Sequence, residues 1–188
     1  GVDVRYGLTS SISLNGTINP DFGQVEADPA VLNLGVFETF FDERRPFFVE
    51  GNQIFETPRP GIPGISRPAR LYHSRRIGRS PSRFGLPDDS DEIDRPDNTT
   101  ILGALKVSGK TDRGTAFGVL DAVTSSEEAR IEQRLTDAQT GLVDTVRRYF
   151  EVEPVTNYFV GRVQQDLRAN STVGAQFTSV NGDGFDPA

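Results

Sequence analysis

The chain opens on an alternation of apolar and polar positions. Val4, Tyr6, Leu8, Ile12, Leu14 and Ile18 all fall on even numbers, and Thr9, Ser10 and Ser11 interrupt them. A period of two on either side of a short polar break is the pattern of a β-hairpin. Gly7 and Gly16 lie inside it, where close packing or curvature is tolerated. The same pattern returns after residue 100. Ile101, Leu105 and Val107 share one parity, and Lys106 and Ser108 take the other. Lys110-Thr111-Asp112-Arg113-Gly114 reads as a turn, and Phe117, Val119 and Val123 begin the next strand. A long strand carrying Tyr158 and Val160 runs to about Asp166. Arg168-Ala169-Asn170-Ser171 then turns it into Val173, Ala175 and Phe177. Ser125 to Gly141 is polar with weak helical character and reads as a long loop or a strand extension. The sum is about six strands, an all-β chain organised as an antiparallel meander of hairpins.

The stretch between the first hairpin and the later ones obeys neither period. Asn19-Pro20-Asp21-Phe22-Gly23 marks a turn, and Asp28-Pro29 has the form of a helix N-cap followed by proline. Behind it Leu34, Phe37 and Phe41 have helical spacing, while Leu32, Leu34 and Val36 alternate, so a short helix and a strand ending in a helical turn both stay open. Residues 56–98 are rich in proline, glycine and arginine, and Asp88 to Asp97 reads as an acidic loop. So long a segment inside a hairpin protein is expected to be functional or packed by something larger. Residues 1–18 are therefore expected to form a hairpin, residues 19–99 an inserted loop or plug, and residues 100–188 further hairpins of the same domain.

Composition narrows the classes. The 188 residues carry a net charge of −7 and no cysteine, which argues against a nucleic-acid binder and against disulfide or thiolate chemistry. No run of about 18 apolar residues is present, so no transmembrane helix is expected, but barrel strands alternate and escape that test. The chain begins in a strand pattern at Gly1 without a leader, as an excised region would. Between Asp42 and Arg83, nine arginines face four acids, a basic island inside an acidic chain. A phosphate, an acidic sugar or a lipid headgroup would suit such an island; internal pairing with acids suits it better. The whole chain has two lysines, so its positive charge sits almost entirely in the residue suited to bidentate carboxylate pairing. Asp21, Glu26 and Asp28 do not have the spacing of the twelve-residue calcium loop, so neither metal nor cofactor is expected and arginine pairing is favoured.

The connections are asymmetric. They are short at 9–11, 110–114 and 168–171 and long at 19–99 and 124–150. Several strands approach the 9–11 residues that cross a bilayer when tilted. Short turns at one end and long loops at the other are the pattern of an outer-membrane barrel, and a soluble sandwich does not need it. Natural barrels have at least eight strands, so about six would be a partial barrel whose open edges favour aggregation in isolation.

Five long runs carry a resemblance: NPDFGQVEADPAVLNLGVFETFFDERRPFFVEGNQIF, LYHSRRIGR, ILGALKVSGKT, FGVLDAVTSSEEAR and VEPVTNYFVGRVQQDLRANSTVGA. Together they resemble the bacterial domain of unknown function numbered 5916. That resemblance implies an outer-membrane β-barrel that usually follows a family 9-like carbohydrate-binding module. The sugar-binding residues of such a module map to no position of this chain. His73 stands where the family commonly has tyrosine, which makes it a poor candidate for a catalytic base.

The barrel reading places the long connection in the lumen or over its mouth. There Arg44, Arg45, Arg75, Arg76 and Arg79 are expected to meet Asp21, Glu26, Asp28 and Glu50, with Phe40, Phe41, Phe47 and Phe48 packing the plug or lining a passage. The expected partners are outer-membrane lipid and, through a module outside this chain, carbohydrate; nucleic acid is not expected. The function so implied is carbohydrate binding or uptake at the outer membrane. A membrane-associated glycan hydrolase is the alternative; it needs two carboxylates about 5–10 Å apart across the bond. No nucleophile elbow, His-Glu-x-x-His helix or phosphate loop occurs.

Overall fold

A computed structural model of the chain describes residues 1–20, 43–55, 72–81, 86–87, 90–136, 141–167 and 171–182. These form nine strands: β1 (Val2–Gly7), β2 (Ile12–Ile18), β3 (Ser90–Asp94), β4 (Ile101–Lys110), β5 (Thr115–Thr124), β6 (Glu127–Thr136), β7 (Val143–Glu153), β8 (Thr156–Asp166) and β9 (Thr172–Gly182). One four-residue helix, α1 (Pro46–Val49), and two short 3-10 turns, Asn52–Ile54 and Ser74–Arg76, lie between β2 and β3. Among the described residues no helix is long and apolar enough to cross a membrane.

All strand pairing is antiparallel. Six strands form one sheet in the order β1-β2-β4-β5-β8-β9, and three form a second in the order β3-β6-β7. Neighbouring hairpins therefore lie side by side, and the first sheet ends at β1 and β9 without closing. Its turns are local. At the β4–β5 turn, Thr111 N donates to Thr115 O at 2.8 Å and Gly114 N to Thr111 O at 3.0 Å. Gly114 holds φ at +81°, a conformation that glycine adopts without steric cost.

The second sheet continues the first. β5 runs through Ser125 and Ser126 into β6, and β7 runs through Pro154 and Val155 into β8. β5 pairs with β8 up to Thr124↔Thr156, and β6 with β7 from Glu127↔Glu153. The two pairs are thus one long hairpin with a break where the proline removes a backbone donor. This resolves the polar segment after Ser125 as strand extension. The segment expected to be an acidic loop contains β3, which pairs with β6 with a register shift between Glu92 and Asp94.

The register lines up rows of residues across all six strands of the large sheet. Arg5, Asn15, Lys106, Leu120, Val160 and Thr178 form one row; Gly7, Ser13, Ser108, Gly118, Arg162 and Gln176 form another. On the opposite face run Tyr6, Leu14, Val107, Val119, Gly161 and Phe177, and beside them Val4, Gly16, Leu105, Asp121, Phe159 and Ser179. Residues 43–55 and 72–81, between β2 and β3, pack on the first face. Phe47, Phe48, Phe55 and Ile77 from that segment bury against Ile101, Ala104, Leu120, Ala122, Tyr158 and Val160 of the sheet. The approach is close at Gly118, where a Cβ would lie 2.8 Å from both Ile54 Cγ2 and Phe55 Cζ.

Candidate functional site

The inner face of the large sheet and the segment docked on it form the candidate site. Pro46 opens α1 at its first position, where the missing N–H is not needed. The helix presents Phe47 and Phe48 to the sheet, their rings edge to face at 5.0 Å. Three polar contacts then fasten the segment.

The first joins the two halves of the segment. Arg45 grips Glu43 side-on, Nε to Oε1 at 2.8 Å and Nη2 to Oε2 at 2.7 Å. Its remaining donors reach Ile77 O at 2.6 Å and Ser74 O at 2.8 Å. The Ser74 hydroxyl donates to Glu43 Oε2 at 2.6 Å, and the Arg45 backbone N–H donates to Oε1 at 2.9 Å. The guanidinium also lies 4.2 Å from the centroid of the Phe48 ring. Both side chains are buried, 8% and 7% exposed. Burial alone would raise the Glu43 carboxyl, but the hydrogen bonds and charge of Arg45, with the Ser74 hydroxyl, outweigh it and hold the group at about 2, against an ordinary 4.5. Burial pushes the Tyr72 hydroxyl up, and the Glu43 charge adds to the effect.

The second contact joins segment to sheet. Lys106 on β4 is 1% exposed, and its ammonium donates to the carbonyls of Phe47 and Glu50 at the end of α1. It also lies 4.8 Å from the Phe47 ring centroid. A cation is favoured at a helix C-terminus because the last carbonyls there have no intrahelical donors. The third contact is at the rims. Arg79 Nη2 meets Glu153 Oε1 at 3.2 Å, and Arg5 Nη1 meets Glu50 Oε1 at 2.6 Å.

Among the described residues, several of the expected residues form ion pairs. Arg45 pairs with Glu43, Arg79 with Glu153, and Glu50 with Arg5. Phe47 and Phe48 are core residues of the docked segment. Arg44 is exposed, and its backbone N–H donates to Glu43 Oε1 at 3.1 Å. Arg75 is half-buried and Arg76 exposed in the second 3-10 turn. Asp21, Glu26, Asp28, Phe40 and Phe41 lie outside the described residues. Glu43, Lys106, Glu153 and Arg5 are the residues the sequence reading missed. For Lys106 a signal existed: it is one of two lysines, and its parity is opposite to that of the apolar residues of β4.

Asn15 and Thr17 also face the docked segment, at 5% and 2% exposure. Asn15 Oδ1 and Thr17 Oγ1 have no hydrogen-bond partner among the described residues. The covered face thus mixes buried polar residues, Asn15, Thr17, Lys106 and Ser108, with the apolar Leu120, Ala122 and Val160, and the outer face is apolar where it is bare. On β4, Leu105 is 51% exposed and its neighbour Lys106 is 1% exposed. A bare leucine beside a covered lysine is the reverse of the usual arrangement in a water-soluble sheet.

The model of one family, Domain of unknown function (DUF5916), matches residues 1–186. The chain belongs to this family. No curated protein and no solved structure matches it. Within DUF5916, then, this chain forms an open antiparallel sheet with a bare apolar face, and a segment docked on the other face through an apolar core, one buried ion pair and the ammonium of Lys106.

Proposed function

We propose that the six-stranded sheet is a section of an outer-membrane β-barrel whose lumen is occupied by the segment between β2 and β3. The protein's role, on this reading, is carbohydrate binding or uptake at the cell surface. The observation that carries the barrel reading is the bare apolar face of the sheet, with polar residues buried on the other face. Val4, Tyr6, Leu105, Val119, Val163 and Phe177 are exposed on one face, while Asn15, Lys106, Ser108 and Arg162 are buried on the other. A bilayer rewards apolar side chains on the outside, and a lumen accepts polar ones. β4, β5, β8 and β9 have 10 or 11 residues each, the length of a tilted spanning strand.

The carboxylates support a barrel over a hydrolase. Glu43, Glu50 and Glu153 are each held by an arginine rather than set across an open cleft. A glycosidase would need a carboxylate pair free to protonate and attack. Carbohydrate as the cargo rests on the carbohydrate-binding module that the family resemblance implies.

The test uses the full-length protein, exported with a signal peptide in a Gram-negative host. Outer membranes are isolated, and the protein is run on a denaturing gel with and without boiling. Recovery in the outer membrane with a heat-dependent mobility shift is expected of a closed barrel. Soluble periplasmic protein without a shift would sink the reading and return the chain to the soluble glycan-binding or hydrolase class.

A further inference from the structure

The apolar band on the outer face does not follow the register rows. On β1 it covers Val2, Val4 and Tyr6, and on β2 it reaches Ile18. On β9 it covers Val173, Ala175 and Phe177 and stops; Ser179 and Asn181 continue the face as polar residues. Ser179 is the row partner of Val4, and Asn181 that of Val2, through the pairings of all six strands. β8 is intermediate, apolar from Phe159 to Val163 and polar at Asn157 and Gln165. At the other limit, Gln165 on β8 faces Val173 on β9, so the boundary steps there as well.

From β1 to β9 the centre of the band moves from Val4 to Ala175, which is four residues along the strand from Val4's row partner Ser179. Four residues are about 14 Å, and five inter-strand spacings are about 24 Å. The band therefore crosses the sheet at about 30° to the register rows, close to the strand tilt of about 35–45° in outer-membrane barrels.

We infer that this oblique band is the contact surface for the bilayer hydrocarbon, so that Val4 and Ala175 lie at one depth and Ser179 lies in the headgroup layer. The inference rests on the barrel reading and adds a tilt and a depth to it. The polar corner has its own chemistry. Asn181 Nδ2 donates to Ser179 Oγ at 3.0 Å, and Asn157 Nδ2 donates to Asp121 Oδ1 at 3.1 Å. Asp121 is the one charged residue among the described outer-face positions of the large sheet; it stands between Val119 and Val123 on β5, and its carboxylate accepts from Asn157 of this corner. Carboxylate and amide groups are tolerated near the interface and costly at the bilayer centre. The strand directions put the turns at 9–11 and 110–114 at one end of the sheet and the β3-β6-β7 sheet beyond the other.

The experiment is a depth measurement on the full-length protein in phosphatidylcholine vesicles. Val4→Cys, Ala175→Cys and Ser179→Cys are made singly in a cysteine-free background and labelled with a nitroxide. Collision rates with oxygen and with a water-soluble nickel chelate give the depth of each label. Val4 and Ala175 are expected at the same oxygen-rich depth, and Ser179 about 12 Å shallower and open to nickel, from the inter-strand spacing and a tilt of about 30°. Equal depth for the row partners Val4 and Ser179, with Ala175 displaced, would overturn the oblique band and leave the barrel reading standing. All three labels open to nickel would overturn the barrel reading itself.

Discussion

The large sheet and the small one are made partly from the same two strands, yet they present opposite chemistry. Below the break at Ser125-Ser126 and Pro154-Val155, the bare face carries Val119, Phe159 and Val163, and ions are buried on the covered face. Above it, the bare face carries Arg130, Tyr149, Glu132, Arg147, Arg134 and Thr145, paired across β6 and β7. Arg45 and Glu43, docked on the large sheet, are 8% and 7% exposed; Arg134 and Asp91 on the small sheet are 60% and 66% exposed. One hairpin thus changes surroundings along its length. On the proposed barrel, hydrocarbon surrounds the lower part and water the upper.

The largest expected effect breaks the buried side of this comparison. Arg45→Ala strands the Glu43 carboxylate and leaves two carbonyls without their donor, and a loss of about 3–5 kcal/mol is expected. Urea-induced unfolding in lipid, followed by tryptophan placed in the docked segment, measures it. The pH dependence comes from the same pair. A carboxyl with a lowered native pKa stabilises fully above its unfolded value and ceases to do so as pH falls through the native one. The docked segment is expected to hold from neutral pH to 4.5 and to loosen progressively from there to about 2. Glu43→Gln should remove that acid-dependent phase.

Next comes the bare face. On the proposed barrel, Leu105→Arg places a charge in the hydrocarbon and is expected to cost about 2–4 kcal/mol of folding stability in vesicles. The same arginine at Tyr149, in water, should change stability by about 0.5 kcal/mol or less. Equal effects at the two positions would erase the contrast in solvent. A smaller effect is expected at the seam between segment and sheet. Gly118→Val drives a side chain into Ile54 and Phe55 and should cost about 1–3 kcal/mol, read as an earlier urea midpoint and faster proteolysis of the docked segment. Smallest is Arg134→Ala, which removes an exposed ion pair with Asp91 and should cost about 0.2–1 kcal/mol, shrinking further in salt.

The alternation made the large sheet legible before any coordinates. The hairpin turning at 9–11, the strands around Val107 and Val119, and the strand from Tyr158 to Asp166 lie where their parity placed them. β3 and β7 were harder because both of their faces carry charge, as Arg147 and Arg148 do on β7. On β6, Ala129, Ile131 and Leu135 alternate with Arg130, Glu132 and Arg134, a short period of two diluted by the charged residues around it. The docked segment was legible as an insertion and as an arginine-carboxylate system. Its partners were not, because a contact such as Arg79–Glu153 spans 74 positions and depends on where the chain returns. Glu43 lies two residues from Arg45 and looked like an ordinary neighbour; only burial by Phe48, Tyr72 and Ser74 turns the pair into an anchor.

The account rests on hydrocarbon at one end of the β5–β8 and β6–β7 hairpin and water at the other. The most direct measurement is a nitroxide scan of the full-length protein in vesicles, at residues 103–108 of β4 and 128–134 of β6. The account predicts a period of two on β4, with oxygen access at Gly103, Leu105 and Val107 and low access to both reagents at Ala104, Lys106 and Ser108. On β6 it predicts nickel access at Arg130, Glu132 and Arg134. Nickel access at Leu105 and Val107 as high as that at Arg130 would contradict it.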